Sequence, residues 1–239
     1  MNEANVIHID GVAMTFEPGE TIHRVATRHE KFIPTLCHDP RLEPTAACRI
    51  CLVEVEGERR LLPACATPAR PGMRVATAAG SERVARHLRA LLQLYLTDHP
   101  APEDGEDVPD RIHAFAEHFG VEATWPTMSL LRQGRDDPNP YILFRPERCI
   151  VCGACTRYCE EVEGVSAITL AGRGANTTIS TAESIGLLES TCEFCGGCIA
   201  VCPTGAMTEK MPLLAGAPPE RELEKVRTTC NYCGVGCQF

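Results

Sequence analysis

Residues 5–16, NVIHIDGVAMTF, are two short, mostly apolar runs broken by the polar pair Asp10-Gly11. Two such runs about an Asp-Gly pair predict two strands joined by a turn. A helical period follows. In PGETIHRVATRHE, Ile22, Val25 and Ala26 share one helical face, and Thr21 is placed to cap the first turn. At 52–57, LVEVEG alternates apolar and acidic residues, which predicts a half-buried strand, and RRLLPAC supplies its partner after a turn at Gly57. Val84, Leu88, Leu91, Leu92 and Tyr95 recur at helical spacing within 81–97, with Ser81 as N-cap. A second helix is predicted over RIHAFAEHFG, where Ile112, Phe115, Ala116 and Phe119 form the core-facing stripe and Gly120 the C-cap. Between these helices DHPAPEDGEDVPD is rich in proline and acid and reads as a hydrated loop. It carries His99 and the acids Glu103, Asp104, Glu106, Asp107 and Asp110, without the spacing of a calcium-binding EF-hand. Residues 122–140 read as irregular, SAITLAGRGANTTIST as a hairpin with a Gly-rich turn, and MPLLAGAPPEREL as a proline-rich linker.

Composition changes this picture. The 239 residues include 15 cysteines, 19 glycines and 18 prolines, with only 5% aromatic residues. Large aromatic cores are therefore excluded, and metal–thiolate bonds are expected to supply order in the short segments. MNEANVIHID has neither the basic nor the apolar region of a signal peptide, and no apolar run has transmembrane length. The expectation is a reducing cytoplasm, where cysteines bind metals or carry out redox work rather than form disulfides. The formal charge of −9 provides no basic footprint for nucleic acid and favours basic protein partners or large subunit interfaces.

The cysteines fall into four sets. Cys37, Cys48, Cys51 and Cys65 are spaced C-x10-C-x2-C-x13-C, with small residues Thr45, Ala46 and Ala47 beside Cys48. A loop of small residues leaves backbone N–H groups near sulfur, which favours a [2Fe-2S] cluster; zinc built on one close pair is the alternative. The run C-x2-C-x2-C-x3-C occurs twice, at 149–159 and 192–202, as an internal repeat. In such runs three cysteines face one [4Fe-4S] cluster and the fourth, expected at a helix start, faces the other. Cys149, Cys152, Cys155 and Cys202 are thus expected to hold one cluster, and Cys192, Cys195, Cys198 and Cys159 the second. Gly153, Gly196 and Gly197 would let the backbone pass close by. The last set, Cys230, Cys233 and Cys237 in CNYCGVGC, supplies three ligands for an incomplete [4Fe-4S] site, a weak zinc site or none. No nucleotide-binding glycine loop, Ser–His–Asp set or carboxylate pair is present, so no catalytic residue is assigned.

The order of these parts resembles the N-terminal iron–sulfur portion of the alpha subunit of cytoplasmic NAD-linked, molybdenum- or tungsten-dependent formate dehydrogenases. The 75-kDa subunit of respiratory NADH dehydrogenase and the diaphorase small subunit of NAD-linked hydrogenases share most of it. IPTLCHDPRLEPTAACRICLVEVEG, RCIVCGACTRYCEEVEGVSAI and ESTCEFCGGCIAVCPTGAM carry the likeness, and TTCNYCGVGC resembles the start of a molybdopterin oxidoreductase domain. The resemblance implies an α+β chain. Its parts would be a β-grasp [2Fe-2S] ferredoxin domain at 1–78, a helical segment at 79–140 and a bacterial-type two-[4Fe-4S] ferredoxin domain at 141–210. A linker at 211–226 and the opening of a molybdopterin [4Fe-4S] domain at 227–239 would follow. It also implies a third [4Fe-4S] cluster if the chain continues, with bis-molybdopterin molybdenum or tungsten, FMN and NAD held outside these residues. The partners implied are a molybdopterin catalytic domain or subunit and a flavin/NADH-binding subunit. Many such relatives hold a further cluster with a histidine and three cysteines in the helical segment. Here His99 is present, but no cysteine lies between Cys65 and Cys149, and that cluster is expected to be absent.

Overall fold

The Asp10-Gly11 turn folds as the Asp-Gly pair predicts, because both residues take positive φ, 50° and 79°, the conformation a two-residue hairpin turn requires. It joins strand β1 (Val6–Ile9) to β2 (Val12–Thr15), with Ile9 opposite Val12. The structure, a computed structural model, describes residues 5–102, 108–126, 137–218, 222–224, 226–230 and 234–238. Helix α1 (Ile22–Arg28) starts at Thr21, whose hydroxyl accepts from the Arg24 N–H at 3.3 Å. Strands β3 (Leu52–Val55) and β4 (Leu62–Pro63) pair antiparallel through Leu52–Pro63 and Val53–Leu62.

Strand β5 (Arg74–Ala76) is not announced by the sequence pattern. It runs parallel to β1 and antiparallel to β3, and so completes a five-stranded sheet of order β2-β1-β5-β3-β4. Three residues with one buried position carry too little periodicity to be read. Ile22 and Val25 of α1 pack against Ile7, Ile9, Val53 and Val75 of the sheet, each no more than 4% exposed.

Helix α2 (Glu82–Leu96) begins at Ser81, whose hydroxyl accepts from the Val84 N–H and donates to Glu54 of β3 at 2.6 Å. Helix α3 (Arg111–His118) begins at Asp110, which accepts from the Ile112 and His113 N–H groups at 3.1 Å. Leu88, Leu92 and Ile112 close a second core that includes Cys37 and Cys48. Of the predicted stripe on α3, Ile112 and Ala116 are buried, while Phe115 and Phe119 flank the half-exposed ring of Phe32.

Strand β6 (Ile142–Phe144), helix α4 (Ala154–Arg157), the hairpin β7 (Ile168–Ala171) and β8 (Thr178–Thr181), helix α5 (Gly197–Ala200) and strand β9 (Met207–Glu209) form the third part. β6 pairs antiparallel with β9, so the start and end of the cysteine repeat lie side by side. Helix α6 (Lys210–Ala215) occupies the start of the segment expected as a linker from 211: Pro212 stands in the first turn, where its missing N–H has no helical partner to lose. Part of the 122–140 expectation, 127–136, lies outside the described residues, as do Glu103, Asp104, Glu106 and Asp107. Among the described residues no helix is long and apolar enough to cross a membrane.

Glu20 is a buried carboxylate at the foot of α1. Arg28 donates to it through Nη2 at 2.7 Å and Nε at 3.2 Å, and the Glu17 N–H donates at 2.8 Å. The Arg28 hydrogen bonds hold its carboxyl below the usual range. A depressed carboxyl pKa contributes stability that is present above the unfolded value of about 4.3 and is lost as pH falls through the folded value. Arg28→Gln is therefore expected to move the acid-unfolding midpoint, followed by circular dichroism, to higher pH. An unchanged midpoint would refute the assignment.

Candidate metal centres

The first cysteine set is gathered by the turns around the five-stranded sheet. Cys37 follows α1, Cys48 and Cys51 precede β3, and Cys65 follows β4; none is more than 4% exposed. The Cys51 and Cys65 sulfurs lie 3.4 Å apart, and the Cys48 N–H donates to the Cys37 sulfur at 3.5 Å. Ala46 and Arg49 take left-handed backbone conformations, φ 52° and 58°, which wrap the loop tightly about the sulfurs. The Cys48 side chain, followed by the Cys48 and Ala47 N–H groups, lowers Cys37 to about 6.

The two copies of the repeat fold alike. In each, the first cysteine accepts from the N–H two residues on: Val151 to Cys149 and Phe194 to Cys192, both at 3.4 Å. Val151 and Phe194 are left-handed, φ 55° and 54°, and so are Gly153 and Gly196, φ 70° and 78°. Paired left-handed residues turn the three cysteines of each run inward. The fourth sulfur of each run accepts from a later N–H, Ala167 to Cys159 at 3.2 Å and Met207 to Cys202 at 3.5 Å.

The geometry crosses the runs over. Cys149, Cys152, Cys155 and Cys202 line one cavity, whereas Cys159, Cys192, Cys195 and Cys198 line another. The fourth cysteine does not start a helix. Cys159 lies in the π-helical turn after α4, and Cys202 lies beyond α5. Gly197 is needed for a different reason from Gly196: a Cβ there would stand 1.9 Å from the Tyr158 ring. Burial pushes the Cys152 and Cys198 thiols up to about 12 and Cys155 well above its ordinary value. Thiolates in these cavities need a positive partner, and ligated iron is one. Four inward sulfurs with backbone N–H donors around one void fit an iron–sulfur cluster in chemistry and number.

Two side chains that sequence reasoning did not assign to the site brace the first set from outside it. Arg157 of α4 donates to the Cys37 carbonyl at 2.7 Å and to the Glu43 carbonyl at 2.6 Å. The Tyr95 hydroxyl of α2 donates to the Cys48 carbonyl at 2.9 Å. Ile150 and Cys152 pack against the core that contains Cys37 and Cys48. Arg41 stacks over the Tyr158 ring at 4.9 Å on the same seam.

Of the last set, Cys230 is partly buried and Cys237 exposed; the Cys230 N–H donates to the Cys237 carbonyl at 2.7 Å. Cys233 lies outside the described residues. His99 corrects an expectation: it is buried, not solvated, with Nε2 3.2 Å from Asp110 Oδ2.

Residues 4–80 match the 2Fe-2S iron-sulfur cluster binding domain family, and residues 139–208 match the ferredoxin-like domain of NADH-quinone oxidoreductase subunit 3. The chain is 36% identical over 98% of its length to an NADH-quinone oxidoreductase subunit of Rhizobium meliloti, of which it covers 27%. It is 26% identical over its whole length to a putative formate dehydrogenase of Staphylococcus haemolyticus, covering 28% of that protein. A chain of the crystal structure of an NAD+-reducing [NiFe]-hydrogenase in the H2-reduced state superposes with a TM-score of 0.71 and 28% identity, over 87% of this chain and 88% of that one. The chain thus spans little more than a quarter of the length of these curated relatives. It carries a [2Fe-2S] ferredoxin domain and a [4Fe-4S] ferredoxin-like domain.

Arg157→Met keeps the stem and removes both donors, leaving the Cys37 and Glu43 carbonyls unpaired at the seam. The expected cost is about 1–3 kcal/mol. Thermal unfolding should show the transition in visible cluster absorbance separating from that in far-ultraviolet circular dichroism. Coincident transitions at the wild-type temperature would contradict the bridging role.

Proposed function

We propose that the chain is an iron–sulfur electron-transfer module of an NAD(P)-linked oxidoreductase complex. In this reading Cys37, Cys48, Cys51 and Cys65 hold a [2Fe-2S] cluster. Cys149, Cys152, Cys155 and Cys202 hold one [4Fe-4S] cluster, and Cys192, Cys195, Cys198 and Cys159 a second. The domain division at 1–78, 79–140 and 141–210 belongs to the same reading, as does a β-grasp assignment for the first domain, supported by α1 packed on the five-stranded sheet. When bound, the clusters supply one-electron chemistry.

The chain's own residues hold and insulate. The observation that carries the reading is the shared core in which Cys152 and Ile150 pack against Cys37 and Cys48. The walls of two cysteine sets are in direct contact there, and Arg157 and Tyr95 donate to the Cys37 and Cys48 carbonyls on the first-set side. Backbone N–H groups donate to the Cys37, Cys149, Cys159, Cys192 and Cys202 sulfurs, which stabilises negative charge on them. Cys195 is exposed, so the second [4Fe-4S] set meets the surface, while Cys37, Cys48, Cys51 and Cys65 are sealed from it. No proton-transfer residue is required of these segments.

Within that class, relaying electrons between a formate-oxidising, CO2-reducing molybdopterin site and a flavin partner that reduces NAD is the reading supported by CNYCGVGC and by the likeness to the putative formate dehydrogenase. Cys230, Cys233 and Cys237 would then begin a further [4Fe-4S] site. A second reading, the electron-transfer subunit of an NAD-linked hydrogenase or an NADH dehydrogenase, is favoured by the hydrogenase likeness and by the Rhizobium relative.

Residues 1–239 purified without oxygen are expected to contain about 10 iron atoms per chain with matching sulfide, and to give reduced-cluster signals in electron paramagnetic resonance after dithionite. Colourless protein with zinc in place of iron would refute the module. Assay of the full-length complex with formate, hydrogen and NADH as donors then separates the readings. Formate-dependent NAD+ reduction supports the first, and activity with only hydrogen or NADH overturns it.

A further inference from the structure

Outside the cysteine sets, His99, Asp110 and His113 form a group whose ligand atoms all lie within 4.8 Å of one another. The side chains of His99 and Asp110 are 1% and 6% exposed, and that of His113 is one-third exposed. Asp110 caps α3 through Oδ1 alone, which accepts both N–H groups of the first turn. Oδ2 takes no part in the cap. Two imidazole nitrogens converge on it instead, His113 Nδ1 at 2.8 Å and His99 Nε2 at 3.2 Å. A helix cap does not call for that second shell of nitrogen. Among the described residues, His99 Nδ1 is buried and has no hydrogen-bond partner, so the ring meets the group through Nε2.

We propose that His99 Nε2, His113 Nδ1 and Asp110 Oδ2 are the ligands of a mononuclear divalent metal site of the nitrogen-preferring class, with zinc as the occupant. Tetrahedral zinc with bonds of about 2.0–2.1 Å separates its ligand atoms by about 3.3 Å. The two nitrogen–oxygen separations already lie close to that spacing. Two imidazoles and one carboxylate leave a fourth position for water. Calcium and magnesium are disfavoured because they take several oxygen ligands, and only one carboxylate oxygen is offered here.

Asp98 and Glu147 line the cavity beside His99, and Arg148 approaches the site from outside it. Its Nη2 lies 3.5 Å from Asp110 Oδ2, farther than either imidazole, and it has a further partner of its own. Its charge opposes a cation, so the site relies on coordinate bonds from nitrogen rather than on net negative charge. Metal at this point would pin the segment after α2 to the first turn of α3, a stretch that contains no cysteine. The inference does not depend on the iron–sulfur reading.

The test uses the full-length protein, expressed with zinc sulfate in the medium and purified with its clusters. X-ray absorption at the zinc edge is expected to show about one zinc per chain with nitrogen and oxygen ligands only. Asp110→Asn preserves the cap, since asparagine serves as well at an N-cap, and His113→Ala alters a partly exposed side chain. Each is expected to weaken zinc binding at least tenfold while iron content stays at the wild-type value. Zinc bound through sulfur, no bound zinc, or nitrogen-bound zinc retained at wild-type affinity in both variants would overturn the proposal.

Discussion

Sulfur buried in apolar surroundings resists ionisation, and the third part of the fold is arranged around cavities where several such sulfurs converge. The Cys152, Cys155 and Cys198 thiols are all held above their ordinary values by burial. Segments this short, with helices of four residues and strands of three or four, do not bury enough apolar surface to order themselves. Iron bound to the sulfurs would relieve the burial cost and close the loops together, so cluster binding and folding would be one process. The crossing of the fourth cysteines is what makes this work mechanically. Cys202 belongs to the 149–155 cavity and Cys159 to the 192–198 cavity, so neither half of the repeat closes without the other.

The same logic extends to the seam between the first and third parts. Arg157 and Tyr95 each donate to a carbonyl of a cysteine in the first set, so the loops around Cys37 and Cys48 are braced from outside their own domain. An electron-transfer module gains from such bracing because its centres must hold fixed separations without moving parts. The left-handed residues Ala46, Arg49, Val151 and Phe194 show where backbone strain is accepted to aim sulfurs and N–H groups inward.

Much of this was legible in the sequence, and the reasons are local. The Asp10-Gly11 hairpin, the Thr21 and Ser81 caps and the α2 stripe follow from short-range rules of period and hydrogen bonding. The eight cysteines of the repeat line two cavities in the combination that the run spacing suggests. What escaped was long-range. β5 is a strand only because β1 and β3 lie on either side of it. Arg157 sits inside a cysteine run as an ordinary basic residue until the first domain is folded against it. His99 reads as solvated beside prolines and acids, and its burial depends on Asp110, eleven residues away. The short helix α6 was not read from the proline-rich stretch, because a proline in the first turn, like Pro212, is compatible with a helix.

The central claim is that three cysteine sets hold one [2Fe-2S] and two [4Fe-4S] clusters in one folded unit. Mössbauer spectroscopy of the protein grown on iron-57 tests it most directly, because it apportions iron by cluster type. The account predicts about one-fifth of the iron in a [2Fe-2S] signal and the remainder in [4Fe-4S] signals. Iron confined to a single cluster type, or spread as mononuclear sites, would contradict it.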